Sequence, residues 1–180
     1  MHPRILPIKV DGVTKESYVW GLRVGFITYA SQSSIILDAL EQKTKGLIRG
    51  TVSSGSHLSQ TVILHSLKSA EFEWEKQQKF ELMKQRASKV KEILNQEKYE
   101  QYWSYYPFNS GYFMCLKLKQ INAEDLRIHL LDRYGIGVVA INSTDLRIAF
   151  SCVEEQDIAE LFDLIYQGVK DLIESNIMGE

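Results

Sequence analysis

The chain has 180 residues, of which 44% are hydrophobic and 24% charged, and its formal net charge is −2 at pH 7. These values are typical of a folded globular protein, which excludes a disordered, collagenous or coiled-coil chain. A chain with so little net charge also lacks the basic surplus that binding to nucleic acid or to an acidic membrane surface needs, so neither is an expected partner.

Targeting signals and metal-ligand patterns are also missing from the sequence. No apolar run reaches the roughly 18 residues that a membrane span needs, and residues 1–10 do not resemble a signal peptide, so we expect a cytoplasmic protein. Cys115 and Cys152 lie in apolar, strand-like segments without C-x-x-C spacing, which favours two buried free thiols. The four histidines have no ligand spacing either, so no metal site is predicted.

The first third of the chain predicts two strands, a loop between them and two helices. Residues 5–10 and 22–30 are apolar and rich in β-branched side chains, which is typical of buried strands. A helix follows that Ser33 or Ser34 can cap, and a second helix covers residues 58–68. The apolar positions of the first helix are Ile36, Leu37, Leu40 and Leu47.

The rest of the chain predicts a small sheet covered by helices, which is a layered α/β arrangement. A long charged helix over residues 71–97 has an apolar stripe made of Phe80, Met83, Ala87, Val90 and Leu94. Strands are predicted at 111–118, 136–141 and 145–151, and an amphipathic helix at 123–134 ends at Gly135. The buried face of the closing helix is predicted to be Ile158, Leu161, Ile165, Val169 and Leu172.

The loop between the first two strands contains two cations eight residues apart, Lys15 and Arg23, and a glycine stands two residues to each side of Arg23. A single loop lysine is ordinarily a solvated surface charge. A lysine whose pKa is lowered, however, can condense with an aldehyde, and an arginine can bind a phosphate through two parallel hydrogen bonds. The pair therefore indicates an aldehyde cofactor that carries a phosphate.

Residues 14–25, TKESYVWGLRVG, resemble the K-x-x-x-x-x-G-x-R-x-G signature of the class I and II aminotransferases, which have the fold type I architecture and use pyridoxal 5'-phosphate. The resemblance implies that Lys15 forms the Schiff base with pyridoxal phosphate and carries a proton between substrate and cofactor. It also implies that Arg23 binds the cofactor phosphate. Thr14 takes the position of a serine that many members have directly before the lysine, and so becomes a candidate phosphate contact.

Two further segments are similar to this family. Residues 47–64 resemble a segment whose arginine and serine, four residues apart, reach the site of a neighbouring subunit, and this implies such a role for Arg49 and Ser53. Residues 145–151 resemble the late L-R-I-x-x-S strand, whose arginine clamps the substrate α-carboxylate, and Arg147 takes that position. The structural alternative is that Arg147 is buried against an internal carboxylate.

The resemblance implies that the chain is the C-terminal portion of a fold type I enzyme. Residues 1–69 would be the end of the large cofactor-binding domain, and residues 70–180 would be the small domain. The implied function is transfer of an amino group between an amino acid and a 2-oxo acid, in a protein whose relatives are usually homodimers. The aromatic, asparagine, tyrosine and aspartate that contact the cofactor ring in the family are not found in these residues, so the chain by itself is expected to be inactive.

Three alternatives stay open from the sequence. The same fold also carries pyridoxal-phosphate-dependent lyases and decarboxylases. The chain could instead be a noncatalytic dimerisation or interaction fragment, or an unrelated α/β domain in which Lys15 and Arg23 coincide by chance. The strands at 5–10 and 22–30 are expected to belong to a larger sheet, so that their edges are rearranged, disordered or covered by another copy of the chain.

Overall fold

A computed structural model describes residues 5–109 and 111–178 of the protein. The chain forms two compact units, Met1–Lys79 and Phe80–Glu180. The domain boundary predicted after residue 69 stays a prediction. Within the described part of the chain, no helix combines the length and the apolar character that crossing a bilayer requires.

The first unit contains a two-stranded antiparallel sheet and helices. Strands form at both predicted positions, but β1 runs two residues past the predicted end at residue 10, and both strands are mostly exposed, so the prediction of buried strands is wrong. They pair with each other in a register that places Ile8 opposite Tyr29 and Gly12 opposite Gly25. Helix α2 begins after Ser33, whose hydroxyl accepts a hydrogen bond from the Ile36 backbone N–H, as the sequence predicts. The elements are β1 (Ile8–Gly12), α1 (Val13–Glu16), β2 (Gly25–Tyr29), α2 (Ser34–Thr51), α3 (His57–Lys68) and the beginning of α4 (Phe72–Leu94).

The first unit buries very few apolar side chains. Its buried cluster consists of Val13, Val24 and Ile63, with two half-buried residues packed against it. Helix α2 has no buried residue. Of the four apolar positions noted in its sequence, Ile36 and Leu47 are 46% and 66% exposed, and Leu37 and Leu40 are half-buried. The apolar positions of α2 are therefore at most half-buried within this unit.

The second unit is built on a four-stranded antiparallel sheet in the order β3-β4-β6-β5. Asn122 caps α5 through its side chain, and the helix ends at Gly135, whose φ of 68° is left-handed, as the predicted glycine C-cap requires. Strand β3 was not predicted, because three residues are too few to show an alternating pattern. The elements are β3 (Trp103–Tyr105), β4 (Met114–Leu118), α5 (Ala123–Tyr134), β5 (Val139–Ala140), β6 (Asp145–Ile148) and α6 (Ile158–Met178).

One face of this sheet carries the core of the second unit, and the other face is open. Alternate residues of β4 and β6, such as Leu116 and Leu146, are buried against the helices, whereas Cys115 and Arg147 between them are only half-buried. The predicted stripe of α4 is confirmed at the buried residues Ala87, Val90 and Leu94, but Phe80 is 48% exposed. Phe162 of α6, which the sequence analysis did not select, is fully buried.

A polar cluster joins α5 to α6 around the carboxylate of Asp171. The Tyr134 hydroxyl donates to Asp171 at 2.5 Å, the Gln167 amide donates at 2.9 Å, and His129 Nε2 lies 3.0 Å away. Burial raises the pKa of the Asp171 carboxyl, but the hydrogen bonds from these three side chains outweigh it and hold the pKa below its usual value. The ionised form of Asp171 therefore stabilises the packing of α5 on α6.

We expect the Asp171→Asn variant to be less stable than the unchanged protein by about 1 to 2 kcal/mol at pH 7, because charge-assisted hydrogen bonds are lost. A carboxyl whose folded pKa is depressed stabilises the fold above its unfolded pKa, near 3.9, and this contribution disappears as the pH falls through the folded pKa. Urea unfolding between pH 7 and pH 3 should therefore show the difference shrinking in acid. Asp132→Asn, at an exposed position of α5, is the control and should change little.

Candidate functional site

The loop at residues 13–24 is held at both ends. The backbone N–H of Val13 donates to the carbonyl of Val24 at 3.3 Å, which continues the β1–β2 ladder one step beyond its last pair. Val13 and Val24 are 4% and 9% exposed and pack on Ile63 of α3, which is 3% exposed. Hydrogen bonding and apolar packing together fix the two points from which the loop starts and returns.

Both predicted cofactor cations lie on this loop. Lys15 is exposed in the short helix α1, two residues after Val13, and Arg23 is exposed one residue before Val24. Thr14, between Val13 and Lys15, is half-buried. Thr14, Lys15 and Arg23 thus all lie within two residues of one pair of anchored backbone positions.

Backbone strain is concentrated in the segments that the sequence analysis selected. Among the described residues, the non-glycine residues with positive φ are Tyr18 at 58°, Arg23 at 54° and Ser53 at 67°. A left-handed conformation costs a side-chain-bearing residue roughly 1 to 2 kcal/mol, and such residues cluster at ligand sites and active sites. Two of the three lie in the loop that carries Lys15, and the third is itself a predicted site residue.

Arg49 and Ser53 are also brought together. Arg49 Nη1 donates to Ser53 Oγ at 2.8 Å, one helical turn further along and just beyond the end of α2. Both residues are exposed. The hydrogen bond presents the guanidinium and the hydroxyl as one polar unit at the end of the helix.

Arg147 lies in the second unit, on the open face of its sheet. It stands opposite Cys115 of β4 and Val139 of β5, and its guanidinium carbon is 4.8 Å from the centre of the Phe113 ring. Within the described ranges, none of the ion pairs includes Arg147. The alternative of a structural ion pair with an internal carboxylate is therefore not what the structure shows.

Arg86 was missed by the sequence analysis. Its side chain is 8% exposed, and it donates from Nη1 to the Ser151 carbonyl at 2.5 Å and from Nη2 to Glu154 Oε2 at 2.6 Å. These bonds tie α4 to the 3₁₀ turn Phe150–Cys152, which begins two residues after β6 ends. No signal in the sequence separates Arg86 from the other charges of this helix, because the partners come from a segment 65 or more residues away.

The prediction of two buried thiols is wrong for Cys152 and only partly met for Cys115. Both are free, but Cys152 is exposed in the turn after β6, and Cys115 is half-buried on the open sheet face. Apolar neighbours in sequence do not show which face of a strand a residue takes, nor where the strand ends. Burial and the Asp145 charge raise the pKa of the Cys115 thiol, whereas the Arg147 guanidinium lowers it.

Comparison with known families identifies the group to which the chain belongs. The profile of the family described as aminotransferase class I and II matches residues 7–165. The chain belongs to the class I and II aminotransferases. This aminotransferase family uses pyridoxal phosphate, and its match confirms the resemblance noted in the sequence.

Solved structures show the same fold. An aminotransferase from Anaerococcus prevotii aligns over 89% of this chain with 22% identity and a TM-score of 0.68. The α-aminoadipate aminotransferase LysN from Thermus thermophilus, solved with N-(5'-phosphopyridoxyl)-L-leucine, aligns over 93% with 19% identity and a TM-score of 0.69. Pyrococcus horikoshii kynurenine aminotransferase aligns over 91% with 16% identity and a TM-score of 0.69. These alignments confirm the predicted fold class.

This chain is much shorter than the three solved aminotransferases. The alignments cover 38%, 42% and 40% of the three solved chains, so it spans about two fifths of their length. A search of curated protein sequences returned no match.

The left-handed backbone of Arg23 gives a test of the loop geometry. We expect Arg23→Gly to change the free energy of unfolding by less than about 1 kcal/mol, because glycine adopts positive φ without a steric penalty. Arg23→Val should be less stable than Arg23→Gly by about 1 to 2 kcal/mol, since a β-branched side chain is disfavoured there. Equal stability of the two variants, measured by urea unfolding, would contradict the positive φ.

Proposed function

We propose that this chain carries the lysine-bearing and carboxylate-binding parts of a pyridoxal-phosphate-dependent aminotransferase. The observation that supports this most directly is the placement of Lys15 and Arg23 on one loop, anchored where Val13 and Val24 pack on Ile63. An exposed amine and an exposed guanidinium on a loop with fixed ends suit a ligand that has an aldehyde and a phosphate at different positions.

The residues of the loop fit pyridoxal phosphate. Arg23 would bind the phosphate, with the Thr14 hydroxyl as a further donor, and the Lys15 amine would attach to the aldehyde carbon. When bound, the cofactor withdraws electrons from the bonds of the substrate α-carbon. The strained backbone of Arg23 supports this role, because a costly conformation is kept where the position of the side chain matters.

Lys15, Arg147 and Arg49 would then have separate tasks in amino-group transfer. Lys15 Nζ would accept the proton from the substrate α-carbon and return it as a general acid. Arg147 would hold the α-carboxylate of the amino acid or 2-oxo acid through two parallel hydrogen bonds. Arg49 and Ser53 would act on the site of a second copy of the chain in a homodimer.

Exposed apolar residues around Arg49 support the homodimer. Leu47, Ile48 and Val52 are 66%, 42% and 67% exposed at the same end of α2. Apolar side chains grouped around a polar pair are typical of a surface that another chain covers. A two-fold axis near this end of α2 would bury the group in both subunits.

Two other functions remain for comparison. A lyase or decarboxylase of the same fold would share Lys15 and Arg23. Unlike an aminotransferase, it would not pass the amino group to a 2-oxo acid. A noncatalytic interaction module is favoured by the exposed apolar residues of the β1–β2 sheet, where Ile8, Val10 and Ile27 are each more than half exposed. Such a module would not bind pyridoxal phosphate selectively at Lys15, even weakly.

Selective labelling of Lys15 tests the cofactor site in the 180-residue chain itself. The protein is incubated with pyridoxal phosphate, reduced with borohydride, and digested so that mass spectrometry locates the modified lysines. We expect Lys15 to be modified about tenfold more than Lys45, because a phosphate held by Arg23 contributes roughly 1.5 to 3 kcal/mol of binding. Lys45 is the matched control, as an exposed lysine in an ion pair with Glu41.

The preference for Lys15 should disappear in Arg23→Gln, and also when the unchanged protein is treated with pyridoxal, which lacks the phosphate. Equal modification of Lys15 and Lys45 by pyridoxal phosphate in the unchanged protein would contradict the cofactor site. It would then favour the interaction module.

The homodimer gives a second prediction. Leu47→Glu should weaken self-association of the chain by at least about tenfold, because two like charges would be buried at a two-fold interface. Ile177→Glu, at a 70% exposed position of α6, is the matched control and should leave association unchanged. Sedimentation equilibrium measures both, and an equal effect of the two substitutions would contradict an interface at the end of α2.

A further inference from the structure

We propose that Phe113 is a positioning residue for Arg147, whose guanidinium it holds on the open face of the sheet with its N–H groups available to a substrate carboxylate. The proposal rests on the carboxylate-binding role proposed for Arg147. In this proposal Phe113 acts through Arg147, because its ring sets where the guanidinium lies.

The strand register explains why these two side chains meet. Cys115 stands directly opposite Arg147, and Phe113 precedes Cys115 by two residues, so all three lie on the same sheet face. Diagonal neighbours of this kind are within reach of an aromatic ring and a long side chain. The guanidinium carbon is 4.8 Å from the ring centre, which is within the range of a cation–π interaction.

This contact stabilises the charge of Arg147 without using its hydrogen-bond donors. The N–H groups of a guanidinium lie in its plane and point outwards from its edge, whereas an aromatic ring attracts its flat face. A carboxylate partner inside the protein would instead occupy the N–H groups. Phe113 therefore gives a half-buried cation a favourable contact, and no ion pair among the described residues occupies the N–H groups of Arg147.

The carboxylate that could compete most directly for Arg147, that of Asp145, already accepts hydrogen bonds from other side chains. Asp145 lies two residues before Arg147 on the same strand and the same face. Its oxygens accept hydrogen bonds from Asn142 Nδ2 at 2.8 Å, and from the Tyr106 and Thr144 hydroxyls at 3.2 Å. Asp145 is thus held by Tyr106 and by the loop before β6, and it forms no ion pair with Arg147.

Cys115 provides a reporter for the position of the guanidinium that needs no cofactor. Arg147 lowers the pKa of the thiol opposite it, so movement of the guanidinium away from the strand raises that pKa. The titration follows the rate of thiol alkylation against pH in the full chain with Cys152→Ser, which leaves Cys115 as the reacting thiol. We expect the pKa to rise in Phe113→Leu, to rise as far or further in Arg147→Gln, and to stay unchanged in Phe113→Tyr.

Binding of a 2-oxo acid to the same variants, measured by calorimetry, tests the consequence for the clamp. We expect Phe113→Leu to bind about threefold to tenfold more weakly, as the loss of a cation–π contact implies. Phe113→Tyr, which keeps an aromatic face, should bind as the unchanged protein does. Because Phe113 is 39% exposed, neither substitution disturbs the core of the second unit.

The two measurements separate the possible failures. An unchanged Cys115 pKa in Phe113→Leu overturns the positioning role, whatever the binding result. If the Cys115 pKa is raised in Phe113→Leu but Arg147→Gln does not weaken 2-oxo acid binding, the proposed carboxylate-binding role of Arg147 is overturned instead. A raised pKa in Phe113→Leu, weaker binding in that variant and recovery of both in Phe113→Tyr support the proposal.

Discussion

The geometry of the candidate cofactor site depends on the closure of the loop at residues 13–24. Antiparallel pairing of β1 with β2 brings Gly12 opposite Gly25, and the next hydrogen bond joins Val13 to Val24. Both valines also pack on α3, and this packing fixes the two ends of the loop relative to the helix. In the proposed function, Lys15 and Arg23 would act on one ligand because the loop leaves and returns at the same place, so the closure would matter more than their spacing in sequence.

The second unit positions Arg147 through the pleat of a sheet. Alternate side chains of β4 and β6 enter the core, and this places Arg147 on the opposite face, where its guanidinium contacts Phe113 and forms no ion pair with any residue that the structure describes. Arg86 holds the turn that follows β6 by two short hydrogen bonds. Because the other face of the sheet is well packed, Arg147 extends from a rigid strand on the open face.

The two units differ in how much of their apolar surface they bury. The second has a continuous core from α4 to α6, whereas the first buries only a few side chains and exposes apolar residues along β1, β2 and α2. Exposed apolar surface of this extent is typical of regions that other protein covers. This exposed surface agrees with the proposed homodimer. In that dimer, Arg49 and Ser53 would reach the site of a second copy of the chain.

The sequence alone was enough to predict most elements, the family, and the residues that carry its motifs, because periodicity, capping residues and motif spacing are local properties of the chain. It determined that Ser33 begins a helix, that Gly135 ends one, and that Lys15 and Arg23 share a loop. Tertiary structure alone decided the exposure of α2, the exposed thiol of Cys152, the buried role of Arg86 and the contact of Phe113 with Arg147. Each of these depends on side chains from elements distant in sequence, and no local pattern records which of them meet.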